Sequence, residues 1–234
     1  RLGAEYVATG HYVQAERDQE HNRCVLRRAC DPLKDQSYVL FGLTQPQLCR
    51  ALFPLGRLRK PEVREIARTL GFGTAEKPDS QDVCFVRDRN TKGFLQRELQ
   101  RPEEPGPIVD TGGGVVGTHH GLLGYTIGQR EGLGVAMGVP MYIVAIDRPH
   151  NRLVVGPRED LLARRMTVRD LNWVSIEPPT TPLRAAVKIR SRHAAAAATI
   201  TPQGDPTALV EFDEPQSAIT PGQAAVFYDG DVLL

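Results

Sequence analysis

The chain has 234 residues, of which 41% are hydrophobic and 24% are charged, and its formal net charge is +1. This length is enough for a substantial core and suits two or three small domains, while the near-zero charge excludes a uniformly basic nucleic-acid-binding surface. Any basic surface is local, and residues 1–92, with 16 Lys and Arg against 12 Asp and Glu, hold most of the positive excess.

Cysteine usage and hydropathy set the expected compartment. Cys24, Cys30, Cys49 and Cys84 lack Cys-x-x-Cys spacing and are too sparse for a disulfide framework, which predicts a reducing compartment. No apolar run reaches the ~18 residues of a membrane span, and no signal peptide is recognisable. We therefore expect a cytoplasmic protein, or an organellar one without its targeting segment, that has no membrane partner.

The first third of the chain alternates predicted strands and short helices. Residues 6–9 predict a short buried strand that runs into a Gly-His turn, and because the chain opens without Met we expect it to begin inside a domain. Residues 23–29 resume as a strand after the polar residues 14–22, which indicates a hairpin or two strands that flank a loop. An apolar segment from Tyr38 then leads to a predicted short helix over residues 45–52.

The clearest predicted helix follows Pro61. This proline suits the first helical position and Gly71 suits the position just past the end. Between them Val63, Ile66, Ala67 and Leu70 recur at helical spacing, which predicts an amphipathic surface helix.

That helix leads to Lys77-Pro-Asp-Ser-Gln-Asp-Val-Cys-Phe, a polar turn that sets one sulfur before a short apolar strand. Turn-forming residues present their side chains outward, which makes Cys84 the candidate reactive atom. Asp79 and Asp82 disfavour its thiolate and Lys77 favours it, so the local charges do not by themselves activate the thiol. The alternative is a small buried residue in a strand cap, a common role of free cysteine.

A small β-rich domain follows a second short helix over residues 94–99 and the linker-like Arg101-Pro-Glu-Glu-Pro-Gly-Pro. Short strands are predicted near residues 108–110, 115–117, 141–147 and 153–156, with glycines between them. The Gly-rich residues 124–134, with Arg130 at their centre, are either a structural turn or a phosphate loop, but they match neither a Walker loop nor Gly-x-Gly-x-x-Gly.

The last third is all-β by pattern, with strands also predicted over residues 199–201, 208–212 and 224–228, which suits a small barrel. Alternation over residues 184–193 places Lys188, Arg190 and Arg192 on one strand face, as a phosphate-contacting stripe or a solvated face. No metal site is expected, because His119 and His120 point opposite ways on a strand and no further ligand lies at suitable spacing.

Taken together, the motifs resemble one family, the tRNA-specific 2-thiouridylases of the MnmA type, over essentially the full chain. The strings that carry the resemblance occur in one order: Ala8-Thr-Gly-His-Tyr, Lys34-Asp-Gln-Ser-Tyr, Leu52-Phe-Pro-Leu-Gly, Asp79-Ser-Gln-Asp-Val-Cys-Phe, Tyr125-Thr-Ile-Gly-Gln-Arg, Lys188-Ile-Arg and Thr220-Pro-Gly-Gln-Ala-Ala-Val-Phe-Tyr-Asp-Gly. Each string alone is weak, but the ordered set is specific.

The resemblance implies a fold in three parts. Residues 1–92 would be the C-terminal part of an α/β, Rossmann-type PP-loop ATP-pyrophosphatase domain, residues 93–162 a small β-rich central domain, and residues 163–234 a C-terminal β-barrel that binds tRNA. The family's Ser-Gly-Gly-x-Asp-Ser pyrophosphate motif and first catalytic cysteine would lie upstream of Arg1, and the chain would stop before a final Gly-rich strand. We therefore expect a fragment that is inactive alone.

The resemblance also implies a reaction. ATP, with Mg²⁺, would adenylate the C2 oxygen of the wobble uridine in glutamate, glutamine and lysine tRNAs, and a cysteine persulfide loaded by a sulfur-donor protein would then deliver sulfur. Cys84 matches the persulfide-bearing cysteine. A persulfide is a more acidic nucleophile than a thiol, so it needs less help from its surroundings than Cys84 itself would. The upstream cysteine would release the sulfur as hydrosulfide, or form a disulfide with Cys84 after transfer.

The binding residues follow from the same resemblance. Gly10 matches the nucleotide-binding end of a strand, as expected for a ligand outside the carboxyl ends of a parallel sheet. The positions that match tRNA contacts are His11, Lys34, Asp35, Gln36, Arg190, Ser191 and Gln223. Ser191 departs from the family pattern, which usually has an aromatic residue there, so the resemblance supports a backbone contact rather than base stacking at this position.

Two other functions share parts of this pattern. A different PP-loop enzyme, such as an adenylating amide synthetase, would share the ATP site and the helix after Pro61, but it would not need Cys84 or the basic strand. A non-catalytic RNA-binding module would need only the basic surfaces.

Overall fold

A computed structural model describes residues 3–77, 91–99, 103–135, 137–204 and 206–234. The described residues divide into two compact units. The first unit draws on residues 1–77, 164–214 and 222–234, and the second on residues 78–163 and 215–221. The predicted Cys84 turn lies outside the described residues.

The described elements are mostly short strands. In chain order they are β1 (Val7–Ala8), β2 (Val13–Asp18), β3 (Arg23–Arg28), α1 (Gln45–Leu48), β4 (Ala51–Leu52), α2 (Lys60–Thr69), α3 (Thr91–Leu99), β5 (Gly106–Asp110), β6 (Val115–His119), β7 (Tyr142–Asp147), β8 (Arg152–Gly156), β9 (Leu162–Val168), β10 (Leu183–Lys188), β11 (Ala196–Pro202), β12 (Ala208–Ser217), β13 (Val226–Asp229) and β14 (Val232–Leu233). Among the described residues, every helix is too short or too polar to cross a membrane.

One eight-stranded sheet dominates the first unit, in the order β2-β3-β14-β13-β10-β11-β12-β9. Strands β2 and β3 pair antiparallel from Val13↔Arg28 to Asp18↔Arg23. The prediction that residues 23–29 pair with the strand over residues 6–9 is wrong, because that strand pairs with β4 and the polar residues before Arg23 form β2. The hairpin continues into strands from the far end of the chain, because β14 pairs with β3 at Leu233↔Leu26. The sheet therefore contains strands from both sides of the domain boundary that was predicted after residue 92.

Both faces of this sheet are covered. On one face Leu26, Tyr228 and Leu233 pack in a core cluster with Tyr38 and Leu48, which arrive from the segment after β3. On the other face the alternate residues of β10 and its neighbours are also buried, among them Val187, Ile200 and Val210 at 0% exposure. Burial on both faces fixes the register of β10, because a slip by one residue would exchange its two sets of side chains.

The short helix α1 is attached to β3 by the side chain of Gln45. Its amide oxygen accepts from the backbone N–H of Cys24 at 2.9 Å, and its amide nitrogen donates to the Cys24 carbonyl at 2.6 Å and to the Val174 carbonyl. The predicted helix over residues 45–52 is wrong beyond Leu48, because residues 51–52 leave it to pair with β1.

The same packing brings two cysteines together. Cys24 and Cys49 form a disulfide with a Cα–Cα distance of 5.6 Å, and of the cysteines in the described ranges only Cys30 is free. The sequence spacing of 25 residues does not suggest a pair; the contact arises only when α1 packs on β3.

Strand β1 pairs parallel with β4, at Val7↔Ala51 and Ala8↔Leu52. The prediction that residues 6–9 are buried is wrong, since Val7 is 65% exposed. Helix α2 has Pro61 in its first turn and is followed by Gly71 at φ +70°, as predicted. None of its residues is buried, and Ile66 and Leu70 are exposed, because nothing in the described ranges covers its apolar face.

The second unit contains a four-stranded sheet in the order β6-β5-β8-β7, which confirms the predicted short strands. Its core includes Ile108, Ile143 and Leu153, all at 0% exposure. The opposite orientation of His119 and His120 is confirmed, because His119 is buried and His120 exposed. His119 is a structural residue: its Nδ1 accepts from the N–H of Gly121 at 3.0 Å and its Nε2 lies 3.0 Å from the Asn151 carbonyl.

The Gly-rich residues 124–134 cross the second unit as a series of turns. The N–H of Gly128 donates to the Ile143 carbonyl at 2.8 Å, and the N–H of Ile143 donates to the Gln129 carbonyl at 3.0 Å. Gly128 has φ +88°, a conformation that favours glycine. These bonds tie the loop to β7 and support the structural interpretation of its glycines.

Candidate functional site

The candidate binding residues all belong to the first unit, so their geometry can be built from the described residues. Gly10 follows the carboxyl end of β1, two residues after Ala8, beside the parallel partner β4. A Cβ at Gly10 would meet only the Leu55 Cδ1 atom, at 3.7 Å, so the space beside this backbone is open. This position is the side of a parallel pair at which a nucleotide is expected.

His11 is held by its own turn. The Thr9 Oγ1 atom lies in hydrogen-bond contact with His11 Nδ1 and accepts from the His11 N–H at 3.2 Å. The next residue, Tyr12, donates its N–H to Gln36 Oε1 at 3.0 Å and accepts from the Gln36 N–H at 2.9 Å. His11 is therefore fixed beside the loop that contains Lys34, Asp35 and Gln36.

Two side chains of that loop are used by the fold. Asp35 Oδ1 accepts from the N–H groups of Ala29 at 3.1 Å and Ser37 at 3.2 Å, and its Oδ2 accepts from Ser37 Oγ at 2.8 Å. Gln36 is engaged by Tyr12. A carboxylate that accepts three hydrogen bonds shapes the loop, so Asp35 and Gln36 set the path of the backbone on which Lys34 sits.

Tyr38 connects this loop to the C-terminal strands. Its hydroxyl donates to the Ala224 carbonyl at 2.9 Å, next to the exposed Gln223. The Lys188 Nζ atom lies 5.8 Å from its ring centroid. Burial raises the pKa of Tyr38, and the nearby charge of Arg190 opposes that increase. The loop thus contacts the barrel beside two of the candidate positions, at Lys188 near Arg190 and at Ala224 next to Gln223.

The predicted cationic stripe is only partly correct. Val187 and Ile189 are buried while Lys188 and Arg190 are half-buried, as alternation predicts. The strand ends at Lys188, however, and the His193 N–H donates to the Arg190 carbonyl at 3.1 Å to close a turn. Ser191 and Arg192 are exposed within this turn. Because the backbone reverses before Arg192, this residue does not lie on the strand face.

Three residues of this region were missed by sequence reasoning. The Tyr228 hydroxyl lies 3.0 Å from Ser37 Oγ, and the Arg28 guanidinium stacks 4.0 Å from the Tyr228 ring centroid. Burial raises the pKa of Tyr228. Ser37 and Tyr228 occur within the motif strings, which was a signal of their importance, but no periodicity indicates that they touch. Arg28 carried no sequence signal beyond its charge.

No three His, Cys, Asp or Glu side chains gather as metal ligands anywhere in the described part of the chain. The parts of the site that the structure brings together are therefore the His11 turn, the loop of residues 34–38, and the barrel residues from Lys188 to Arg190 and around Ala224. Cys84, the candidate reactive atom, lies outside the described residues.

Three family models match the chain. Residues 1–88 match the tRNA methyl transferase HUP domain, residues 92–157 the tRNA methyl transferase PRC-barrel domain, and residues 163–234 the Aminomethyltransferase beta-barrel domain. These matches confirm the predicted fold class, an α/β domain part followed by a β-rich middle domain and a C-terminal barrel.

Three similar proteins share the name tRNA-specific 2-thiouridylase MnmA. The tRNA-specific 2-thiouridylase MnmA of Heliobacterium modesticaldum is 51% identical over 98% of this chain and 60% of its own length. The proteins of that name from Koribacter versatilis and Clostridioides difficile are 46% and 42% identical, each over 100% of this chain and 65% of their own length. The chain therefore spans somewhat under two thirds of the length of these curated relatives.

Proposed function

This chain belongs to the family of the tRNA-specific 2-thiouridylases, and from that membership we propose that the complete protein is a transferase that replaces the C2 oxygen of a tRNA uridine by sulfur. The observation that supports a tRNA substrate is the convergence on Tyr38. The loop with Lys34 and the segment after Gln223 are distant in sequence, yet they meet at the hydrogen bond from Tyr38 to the Ala224 carbonyl, and Lys188, two residues before Arg190, lies 5.8 Å from the Tyr38 ring.

The proposed site has two sides with different tasks. Gly10 and His11, at the end of β1, lie where the nucleotide and the target uridine would come together. The barrel residues Arg190, Ser191 and Gln223 would hold the tRNA backbone, because cationic and main-chain groups position nucleic acid without reading bases. Lys34, Asp35 and Gln36 lie between the two sides and would set the uridine against the reacting groups.

The proposed cofactor is ATP with Mg²⁺. The open space beside Gly10, at the carboxyl end of a parallel pair, fits one wall of a nucleotide pocket. When bound, ATP supplies the adenylyl group that turns the C2 oxygen into a leaving group. The Gly10 backbone would contact the nucleotide, and the bonded His11 turn would keep the adjacent uridine in place.

Cys84 is the proposed sulfur carrier. A persulfide on this cysteine, loaded by a sulfur-donor protein, would deliver its terminal sulfur to C2. A second cysteine would either release that sulfur as hydrosulfide beforehand or form a disulfide with Cys84 after the transfer. The proposed acceptors are the glutamate, glutamine and lysine tRNAs, and the proposed compartment is the cytoplasm.

Cys84→Ser in the complete protein tests this assignment. We expect 2-thiouridine formation to fall to background while ATP-dependent adenylation of the uridine persists, because adenylation does not need the sulfur. Nucleoside analysis of the tRNA and release of pyrophosphate from ATP measure the two steps.

The matched control is Cys30→Ser, which removes the exposed free thiol of the described residues and should leave both steps unchanged. Normal 2-thiouridine formation by the Cys84→Ser protein would exclude Cys84 as the carrier. Loss of thiolation in the Cys30→Ser protein as well would show that the loss is not specific to Cys84 and would remove this support for the assignment.

A further inference from the structure

Two cations point towards the core face of the eight-stranded sheet. Directly paired residues of neighbouring strands share a face, and so do residues two apart on one strand. The pairs Leu26↔Leu233, Tyr228↔Leu233 and Ala186↔Tyr228 therefore form one row across the sheet. Arg28 lies two residues beyond Leu26 and Lys188 two beyond Ala186, so both point to the face that Tyr38 covers.

Each cation is packed on an aromatic ring of this face. The Arg28 guanidinium carbon lies 4.0 Å from the Tyr228 ring centroid, and the Lys188 ammonium 5.8 Å from that of Tyr38. Both residues are half-buried. Such contacts are favourable, but they do not replace the hydration that a cation loses on burial.

The cations lack sufficient counter-charge. In the described part of the chain neither Arg28 nor Lys188 forms an ion pair, and Arg28 Nε is enclosed without a hydrogen-bond acceptor. Burial lowers the pKa of Lys188, the charge of Asp35 raises it, and the charge of Arg28 lowers it. Asp35 is one carboxylate near two cations, and three hydrogen bonds already engage it. Half-buried cations without equal counter-charge suit an anionic partner.

We propose that Arg28 and Lys188 form a binding site for phosphate groups of the RNA backbone, a site that rests on the proposed tRNA substrate. Arg28 precedes the loop of residues 34–38 by six residues, and Lys188 precedes Arg190 by two, so each cation adjoins a segment that is proposed to hold the RNA. The phosphates of ATP are the competing ligand, because Gly10 lies three residues before Val13, the direct partner of Arg28, and the test distinguishes the two sources.

The test is tRNA binding by the complete protein over a salt series, with wild type, Arg28→Gln, Lys188→Gln and Arg28→Lys compared by filter binding. Each lost phosphate contact should reduce the slope of log affinity against log salt by ~0.7. We expect this reduction for both Gln variants. Arg28→Lys should retain the slope because it keeps the charge. Thermal unfolding confirms that each variant is folded.

Arg184→Gln is the matched control. Arg184 lies on the same strand as Lys188, but it is paired with Asp213 through contacts of 2.7 and 2.6 Å, so its loss should leave the slope unchanged. If both Gln variants keep the wild-type salt slope but turn over more slowly, Arg28 and Lys188 only support the loop of residues 34–38. That result would overturn the proposed phosphate site. A higher KM for ATP with an unchanged tRNA slope would likewise overturn it. If wild-type protein binds no tRNA, the proposed function itself fails.

Discussion

Tyr38 is buried and polar, and both properties matter for the site. Its ring belongs to the core that holds the sheet to the segment after β3, while its hydroxyl satisfies the Ala224 carbonyl next to Gln223. A side chain that is part of the core moves little. The loop that Tyr38 ends is thus set against the barrel before any RNA binds, which reduces the ordering that binding would require.

Arg190 and Lys34 should affect different steps. Arg190→Ala in the complete protein should weaken binding of every accepted tRNA by a similar factor and flatten the salt dependence by ~0.7 in slope, because phosphate contacts carry no base information. Lys34→Ala should lower turnover more than affinity, because its loop adjoins the His11 turn and is proposed to position the uridine. Filter binding with several tRNAs and single-turnover thiolation measure the two effects.

An unchanged salt slope for Arg190→Ala would show that this arginine is part of a solvated face. Arg192→Ala is the comparison variant. It removes an equal charge from the neighbouring turn, and a similar loss there would mean that general charge, rather than a particular contact, governs binding.

The residues of the site differ in how far the sequence could predict them. Alternation predicts the burial of Val187 and Ile189 because it is a local property of a strand. It fails at Arg192 because the turn that closes on Arg190 depends on where the partner strands end. The structural use of the Asp35 carboxylate was also not predictable, since its partner Ala29 belongs to the segment after β3.

At the level of elements, the attachment of α1 to β3 depends on Gln45 and on the disulfide beside it. Opening the Cys24–Cys49 bond by reductant, or by Cys49→Ser, should lower the free energy of unfolding by about 2–4 kcal/mol, because the bond restricts the unfolded chain. Urea unfolding with and without reductant measures the difference in the complete protein.

Cys30→Ser should leave the urea midpoint unchanged, since Cys30 forms no bond to another cysteine of the described residues. An identical midpoint for oxidised and reduced protein would show that Gln45 alone secures α1. Thiolation should survive in the Cys49→Ser protein, because neither Cys24 nor Cys49 is proposed to carry sulfur.

Elements with strong local signals were predictable. Helix α2 combines an early proline, periodic apolar residues and a glycine just past its end. Strand β2, Val-Gln-Ala-Glu-Arg-Asp, is too polar to be distinguished from a loop by its sequence alone. The two-residue strands β4 and β14 have no such signal. Strand β4 pairs with the distant β1, and β14 pairs both with β13, which precedes it directly, and with the distant β3.

For the whole molecule, we propose that the 234-residue chain alone neither adenylates tRNA nor makes 2-thiouridine. It contains no Ser-Gly-Gly-x-Asp-Ser string, and Gly10 supplies only one wall of the nucleotide pocket. Backbone N–H groups of such a loop are what normally hold pyrophosphate. Incubation with ATP and tRNA, followed by nucleoside analysis, should give no modified uridine.

The same chain should still retain salt-dependent tRNA binding, since the barrel side of the site lies within it. Adenylated tRNA formed by this chain alone would show that the nucleotide site is misplaced. The complete protein, assayed in parallel, provides the positive control for both measurements.

The pairing of β14 with β3 has a consequence for biosynthesis. Leu26 and Leu233 are neighbours in the sheet, yet the ribosome, at ~5–20 residues per second, needs about 10–40 s to make the chain between them. During that interval the hairpin displays an open edge that could pair with another nascent chain. The first unit can therefore complete its sheet only after translation has passed residue 233.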